Sequence, residues 1–113
     1  MDIDKIIQKG YSCLVASNGC FLGKLSLSPY DSESISNKYG IYGSIYAAYS
    51  IWNKYGMFGS PYSVWSPYNA YTTTPPVIYL RGRKYGYLSK NKYLLNCVDP
   101  DSISDWMKRN NLY

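Results

Sequence analysis

The sequence predicts an α+β fold, with duplicated β-hairpins forming a small antiparallel sheet or partly open barrel. Short helices at each end and a turn-rich Tyr/Gly layer folded across the sheet complete the expected architecture. Three observations lead there. Asn18-Gly19 interrupts an apolar run as a tight hairpin turn does; a second β-rich run after Pro75-Pro76 ends in the same Gly-x-Leu-Ser signature; and a Tyr/Gly/Asn-rich segment is copied between them. A chain of 113 residues suits one domain, 1–113, with one core.

Asp2 to Lys9 reads as a short helix with Ile3, Ile6 and Ile7 on one face, Asp2 as cap and Gly10 as stop. It is too short to persist undocked. Residues 12–26 read as hairpin 1. Asn-Gly suits a type I′ turn because both central residues need positive φ. A two-residue loop then pairs Ser17 with Cys20, Ala16 with Phe21 and Val15 with Leu22, and sets Cys13 against Lys24.

Residues 34–71 carry the repeat. Ser34 to Tyr46 (SISNKYGIYGSIY) recurs 16 residues on as Ser50 to Tyr62 (SIWNKYGMFGSPY), and a shortened third copy is read from Ser63, with Ser66 where the others have Asn. Glycine after each Lys-Tyr pair breaks helix and strand alike, and Asn37 and Asn53 can bond their own backbone as turn formers. The expectation is a compact layer in which tyrosines lie against the sheet. Residues 77–89 read as hairpin 2, with Arg81-Gly82-Arg83 as the turn. Its return strand matches that of hairpin 1, since Gly23, Leu25, Ser26 and Tyr30 correspond to Gly86, Leu88, Ser89 and Tyr93. Residues 99–111 read as a C-terminal helix capped by Asp99, opened by Pro100 and buried through Ile103, Trp106 and Met107.

These residues, from Gly23 through Ser89, resemble a widespread bacterial family of uncharacterised small proteins. Its members carry Gly-x-Leu-Ser, then Tyr-Asp-x-x-Ser-Ile-x-Asn-x-Tyr-Gly-x-Tyr-Gly-Ser, a Pro-Pro strand and a second Gly-x-Leu-Ser. The resemblance implies the architecture and supplies no activity. Many members of that family are exported, unlike the expectation for this chain.

The formal charge is +5, and no acidic residue falls between Ser34 and Leu80. Arg81, Arg83, Lys84, Lys90 and Lys92 then cluster, which favours anionic ligands. Without histidine the commonest general base and the usual catalytic triads are missing. Asp31 and Glu33 are the only acids beside the repeat, and no phosphate-binding glycine loop occurs. We therefore expect no enzyme, no metal and no cofactor. Three cysteines without metal-like spacing, a polar N-terminus and no long apolar run point to the reducing cytoplasm of a bacterium or a phage-infected host cell.

Binding is the functional expectation: a small anionic, base-containing, nucleotide-like ligand, with sequestration of a second messenger in a phage or bacterial defence setting as one use. Asn37, Lys38, Tyr39, Tyr42, Trp52, Asn53, Lys54, Tyr55, Trp65, Arg81 and Arg83 are the candidate ligand-binding residues, because aromatic faces stack on bases and cations meet phosphate. The alternative is a structural or interaction module in which the Tyr/Gly repeat mediates homo-oligomerisation or partner binding. Single-stranded nucleic acid stands third, for want of a longer basic track.

Overall fold

The structure, a computed structural model, describes residues 3–113, with the side chains of Ile3, Ile6 and Ile7 excepted. The elements in order are α1 (Ile3–Lys9), β1 (Cys13–Val15), β2 (Phe21–Lys24), β3 (Val77–Leu80), β4 (Arg83–Leu88), β5 (Cys97–Val98), a 3-10 turn (Pro100–Ser102) and α2 (Ile103–Arg109). Gly10 ends α1 with φ +68°. The expected Asp2 cap and isoleucine face lie outside the described residues.

The strands form one open five-stranded sheet, in the order β2-β1-β3-β4-β5. The expectation of an antiparallel sheet or a barrel is corrected here. β5 runs parallel to β4, the sheet is mixed, and its edges do not meet. A two-residue strand such as Cys97-Val98 is too short to carry an alternating pattern, which is why it escaped the sequence reading.

The duplication is real in the hydrogen bonds. Lys24 N–H donates to the Glu33 carbonyl (2.7 Å), and 63 residues on Tyr87 N–H donates to the Asn96 carbonyl (3.1 Å). Lys24 pairs in parallel with Ser34 as Tyr87 does with Cys97. The Ser26 hydroxyl accepts from Ser28 N–H, and the Ser89 hydroxyl accepts from Asn91 N–H. β1 and β3 meet antiparallel at the centre, with Leu14 opposite Ile78. Each half thus consists of a hairpin whose following segment turns back beside its own return strand. Gly23 and Gly86 make that return possible, because a Cβ at either would collide with the returning chain: Glu33 and Ile35 in one case, Asn96 in the other.

The register of hairpin 1 differs from expectation. Gly19 takes φ +93° but Asn18 stays at negative φ, and Ala16 N–H bonds the Cys20 carbonyl, so the loop has three residues. Val15 therefore faces Phe21 rather than Leu22; a second irregularity between Leu14 and Val15 restores Cys13 opposite Lys24. Asn18 instead spends its side chain accepting from Cys20 N–H (3.1 Å). The positive-φ pair appears in hairpin 2, at Arg81 (50°) and Gly82 (83°), making the loop two residues long.

One face of the sheet, through Leu14, Leu22, Ile78 and Leu88, buries against α2 (Ile103, Trp106, Met107) and against Ile35, Ile51 and Phe58 of the repeat. Asp99 caps the 3-10 turn by accepting from Asp101 N–H (2.9 Å). The opposite face holds Cys13, Val15 and Phe21, the last meeting Tyr42 edge to face at 5.2 Å.

Candidate functional site

Between β2 and β3 the chain forms neither helix nor a further strand of the sheet; from Asp31 to Thr72 it is a succession of β-turns, shifted by one residue at Ser44 and again at Ser60. N–H donors at Ser34, Asn37, Gly40 and Gly43 each bond the carbonyl three residues back, and so do those at Ala47, Ser50, Asn53, Gly56 and Gly59, then Ser63, Ser66, Asn69 and Thr72. At ten of these thirteen turns the first residue is Ser, Asn or Asp, and its side chain accepts from the N–H two residues on; Gly40, Ala47 and Gly56 open the other three, and Thr72 adds one more such acceptor after the last turn. Asp31, Ser34, Asn37, Ser44, Ser50, Asn53, Ser60, Ser63, Ser66, Asn69 and Thr72 all do this. About two backbone donors in every three are thereby satisfied locally, which lowers the cost of a long segment without regular structure. Among the described residues no buried side-chain polar atom lacks a partner.

The 16-residue period is geometric as well as chemical. Asn37, Asn53 and Asn69 each donate from Nδ2 to the carbonyl six residues back, on Asp31, Ala47 and Ser63, at 3.1, 3.1 and 3.2 Å. Ser34, Ser50 and Ser66 are each wholly buried. This corrects the reading of the third copy: Ser66 is the equivalent of Ser34 and Ser50, and Asn69 fills the asparagine position. Gly43 and Gly59 lie so close to the Asn37 and Asn53 carbonyls that a Cβ would overlap them. Trp52 ties successive coils together by donating from Nε1 to the Ile35 carbonyl (2.8 Å).

The tyrosines do not lie against the sheet. Tyr39, Tyr55 and Tyr71 are 98%, 99% and 93% exposed, and Tyr30, Tyr46 and Tyr62 are 89%, 86% and 91% exposed. Both sets repeat at 16 residues. The physical reason is the three-residue turn: with the first residue bonded inward, the third points out, except where the coil faces the core at Tyr42, Trp52, Phe58, Trp65 and Tyr68.

A groove of about 1120 Å³ opens along the coils and α2, lined by Lys38, Tyr39, Tyr46, Trp52, Lys54 and Asp101 among others. Lys38 and Lys54 are exposed and form no ion pair among the described residues. Asp101 is held by Lys90 at 2.6 Å and accepts from the Tyr68 hydroxyl at 3.4 Å. Burial, with Asp101 beside it, pushes the Tyr68 phenol well above its ordinary range.

The remaining candidates sit elsewhere. Asn37 and Asn53 are spent on the backbone, Tyr42 packs on Phe21, and Tyr55 and Trp65 stand outside the groove. Arg81 and Arg83 do not line it either; Arg81 bonds the Asn110 carbonyl at the C-terminus of α2. The cationic cluster after residue 80 is also smaller than its formal charge, because Lys90 is claimed by Asp99 (2.7 Å) as well as Asp101. Asp31 and Glu33 both hold Lys24, at 3.3 and 3.5 Å, as structural ion pairs. Tyr46 and Asp101 were missed in the sequence; the 16-residue copy of Tyr46 at Tyr62 was the available signal for the first, and nothing local signalled the second.

Among the described residues no helix is long and apolar enough to cross a membrane. Comparison of the chain with known protein families, with curated proteins and with solved structures returns no match.

Proposed function

We propose that this is a non-catalytic binding protein whose groove takes a small anionic ligand bearing a planar ring, nucleotide-like in its chemistry. The observation that carries the reading is the meeting of Lys38 and Lys54, one repeat apart and without carboxylate partners, in a groove walled by Tyr39, Tyr46 and Trp52. Lysines give a phosphate its counter-charge, and the rings give a base its stacking face. Asp101 offers an acceptor to an amino or hydroxyl group on the same ligand. Sequestering a nucleotide second messenger is a use such a groove suits, in a bacterium or in a phage-infected cell.

The test is thermal denaturation in the presence of mono-, di- and cyclic nucleotides. Stabilisation is expected, and Lys54→Ala or Tyr39→Ala should abolish it without changing the melting temperature of the free protein. Stabilisation that persists in both variants sinks the assignment of the groove.

A second reading is favoured by one separate observation. The repeat leaves Tyr55, Tyr62 and Tyr71 exposed, and with them Ile41, Met57 and Val64, and aromatic side chains are enriched at the hot spots of protein interfaces. In that reading the repeat mediates homo-oligomerisation, and sedimentation equilibrium would find a defined oligomer that Tyr55→Ala dissolves.

A further inference from the structure

The sequence Asn-x-Tyr occurs in four turns of the same geometry, three in the repeat and one in the second half of the duplication. In each, the asparagine Oδ1 accepts from the tyrosine N–H: Asn37 to Tyr39 (3.0 Å), Asn53 to Tyr55 (3.1 Å), Asn69 to Tyr71 (3.0 Å) and Asn91 to Tyr93 (3.1 Å). The middle residue is Lys38, Lys54, Ala70 and Lys92, and all four are exposed. Tyr93 is 96% exposed, like its three counterparts. The turn backbone therefore presents a ring, and in three cases a cation beside it, in the same way each time.

We propose that these four turns form one track for single-stranded nucleic acid, with the groove at one end of it. The inference rests on the reading of the groove as a site for an anionic, ring-bearing ligand, and names a polymer as that ligand. The turns are continuous in space at the far end as well. A second hollow of about 310 Å³ is lined by Ala70, Tyr71, Lys92 and Tyr93, and Asn91 Nδ2 bonds the Thr72 carbonyl (2.9 Å), which joins the fourth turn to the third.

The charges select the occupant. None of the four turns contains an acid, and Lys38, Lys54 and Lys92 form no ion pair among the described residues. Asp99, whose charge Lys92 feels, is occupied by Lys90 at 2.7 Å. A repeated cation-and-ring pair matches a ligand in which phosphate and base alternate along a strand. Rings this far out in solvent need base faces that are free to stack, which a duplex does not offer. Base stacking on tyrosine tolerates any sequence, so the track reads backbone and base planes rather than base identity.

The experiment is fluorescence anisotropy with labelled thymidine monophosphate, a thymidylate tetramer and a thymidylate dodecamer. Affinity should rise at least about tenfold from monophosphate to dodecamer. The logarithm of the dodecamer association constant should fall with the logarithm of salt at a slope of about −2, as three lysines on a single strand require. Tyr55→Ala and Tyr71→Ala should each weaken the dodecamer about tenfold and leave the monophosphate unchanged, since neither ring lines the groove. Their near-complete exposure leaves the fold intact, which circular dichroism checks. Monophosphate binding with no dependence on length overturns the track and leaves the groove standing. Binding of none of the three overturns both. Dextran sulfate bound as tightly as the dodecamer overturns stacking, and a dimer that Tyr55→Ala dissolves, with no dodecamer bound, gives the face to a second copy instead.

Discussion

Replacing the repeat asparagines one at a time by alanine measures what holds the turn succession together. Asn37, Asn53 and Asn69 each make two bonds, donating Nδ2 to a carbonyl six residues back and accepting on Oδ1 from the N–H two residues on. Alanine removes both. At about 1 kcal/mol net per bond the loss is about 2 kcal/mol at Asn53 and Asn69. Asn37 is buried to 9% exposure, but the Asp31 carbonyl it leaves keeps the Ser34 N–H, as the Ala47 and Ser63 carbonyls keep those of Ser50 and Ser66, so the loss there is about 2 kcal/mol as well. Serine is the control, since a hydroxyl still reaches the N–H two residues on, as Ser34, Ser50 and Ser66 do, but cannot donate six residues back. Asn53→Ser should therefore cost about half of Asn53→Ala. Urea unfolding with an unchanged m-value reports the numbers. Alanine variants within about 0.5 kcal/mol of the parent would refute the reasoning, because surface changes without a structural role fall in that range. Serine as costly as alanine would refute the division between the two bonds.

Gly59→Ala should cost about 3 kcal/mol or more in the same assay, because its Cβ would overlap the Asn53 carbonyl and a backbone must move; Gly56→Ala, which meets only side-chain atoms of Asn53 at 3.1 Å and beyond, should cost less. Acid should destabilise the fold through Asp31 and Asp99. The Glu33 N–H, with help from Lys24 and against burial, holds Asp31 below the ordinary carboxylate range; at Asp99 burial pushes upward, but Lys90 and the Asp101 N–H outweigh it. Because both are depressed on folding, their contribution is complete above the ordinary carboxylate pKa of about 4 and is lost as pH falls through the folded values. Asp99→Asn should flatten the acid limb of the stability curve, and an unchanged limb would remove Asp99 from that account. Burial pushes the Cys13 thiol up to about 12, so at neutral pH it should resist a thiol reagent until urea unfolds the chain, whereas rapid labelling in the native state would contradict its burial.

Much of this fold was legible because its determinants are local. The hairpins, the Pro100 helix start and the 16-residue period are written in short-range chemistry: positive-φ glycines, side-chain caps and repeated residue types. The pairing of Gly23 with Gly86 was legible for the same reason, as a copied signature. The three-residue rhythm inside the repeat was equally present, in Ser50, Asn53, Gly56 and Gly59, but it belongs to no standard helix or strand period and was read only as turn-rich. Lys38, Tyr39, Trp52 and Lys54 are four of the eleven candidates drawn from the sequence, and these four line the groove while the other seven do not.

What tertiary structure alone decided concerns direction and competition. Whether a tyrosine faces core or solvent depends on which side of its coil meets the sheet, so Tyr42 and Tyr68 turn in while Tyr39 and Tyr55 turn out. Arg81 and Lys90 looked available as cations until the C-terminal segment brought the Asn110 carbonyl to the first, and Asp99 and Asp101 to the second. The parallel edges of the sheet arise because each return strand is met by chain that has looped back beside it, ten residues on in both halves (Lys24 with Ser34, Tyr87 with Cys97). Local chemistry by itself determined that this chain would make turns, hairpins and a capped helix; the packing of those pieces determined which of its rings and charges were left free to meet a ligand.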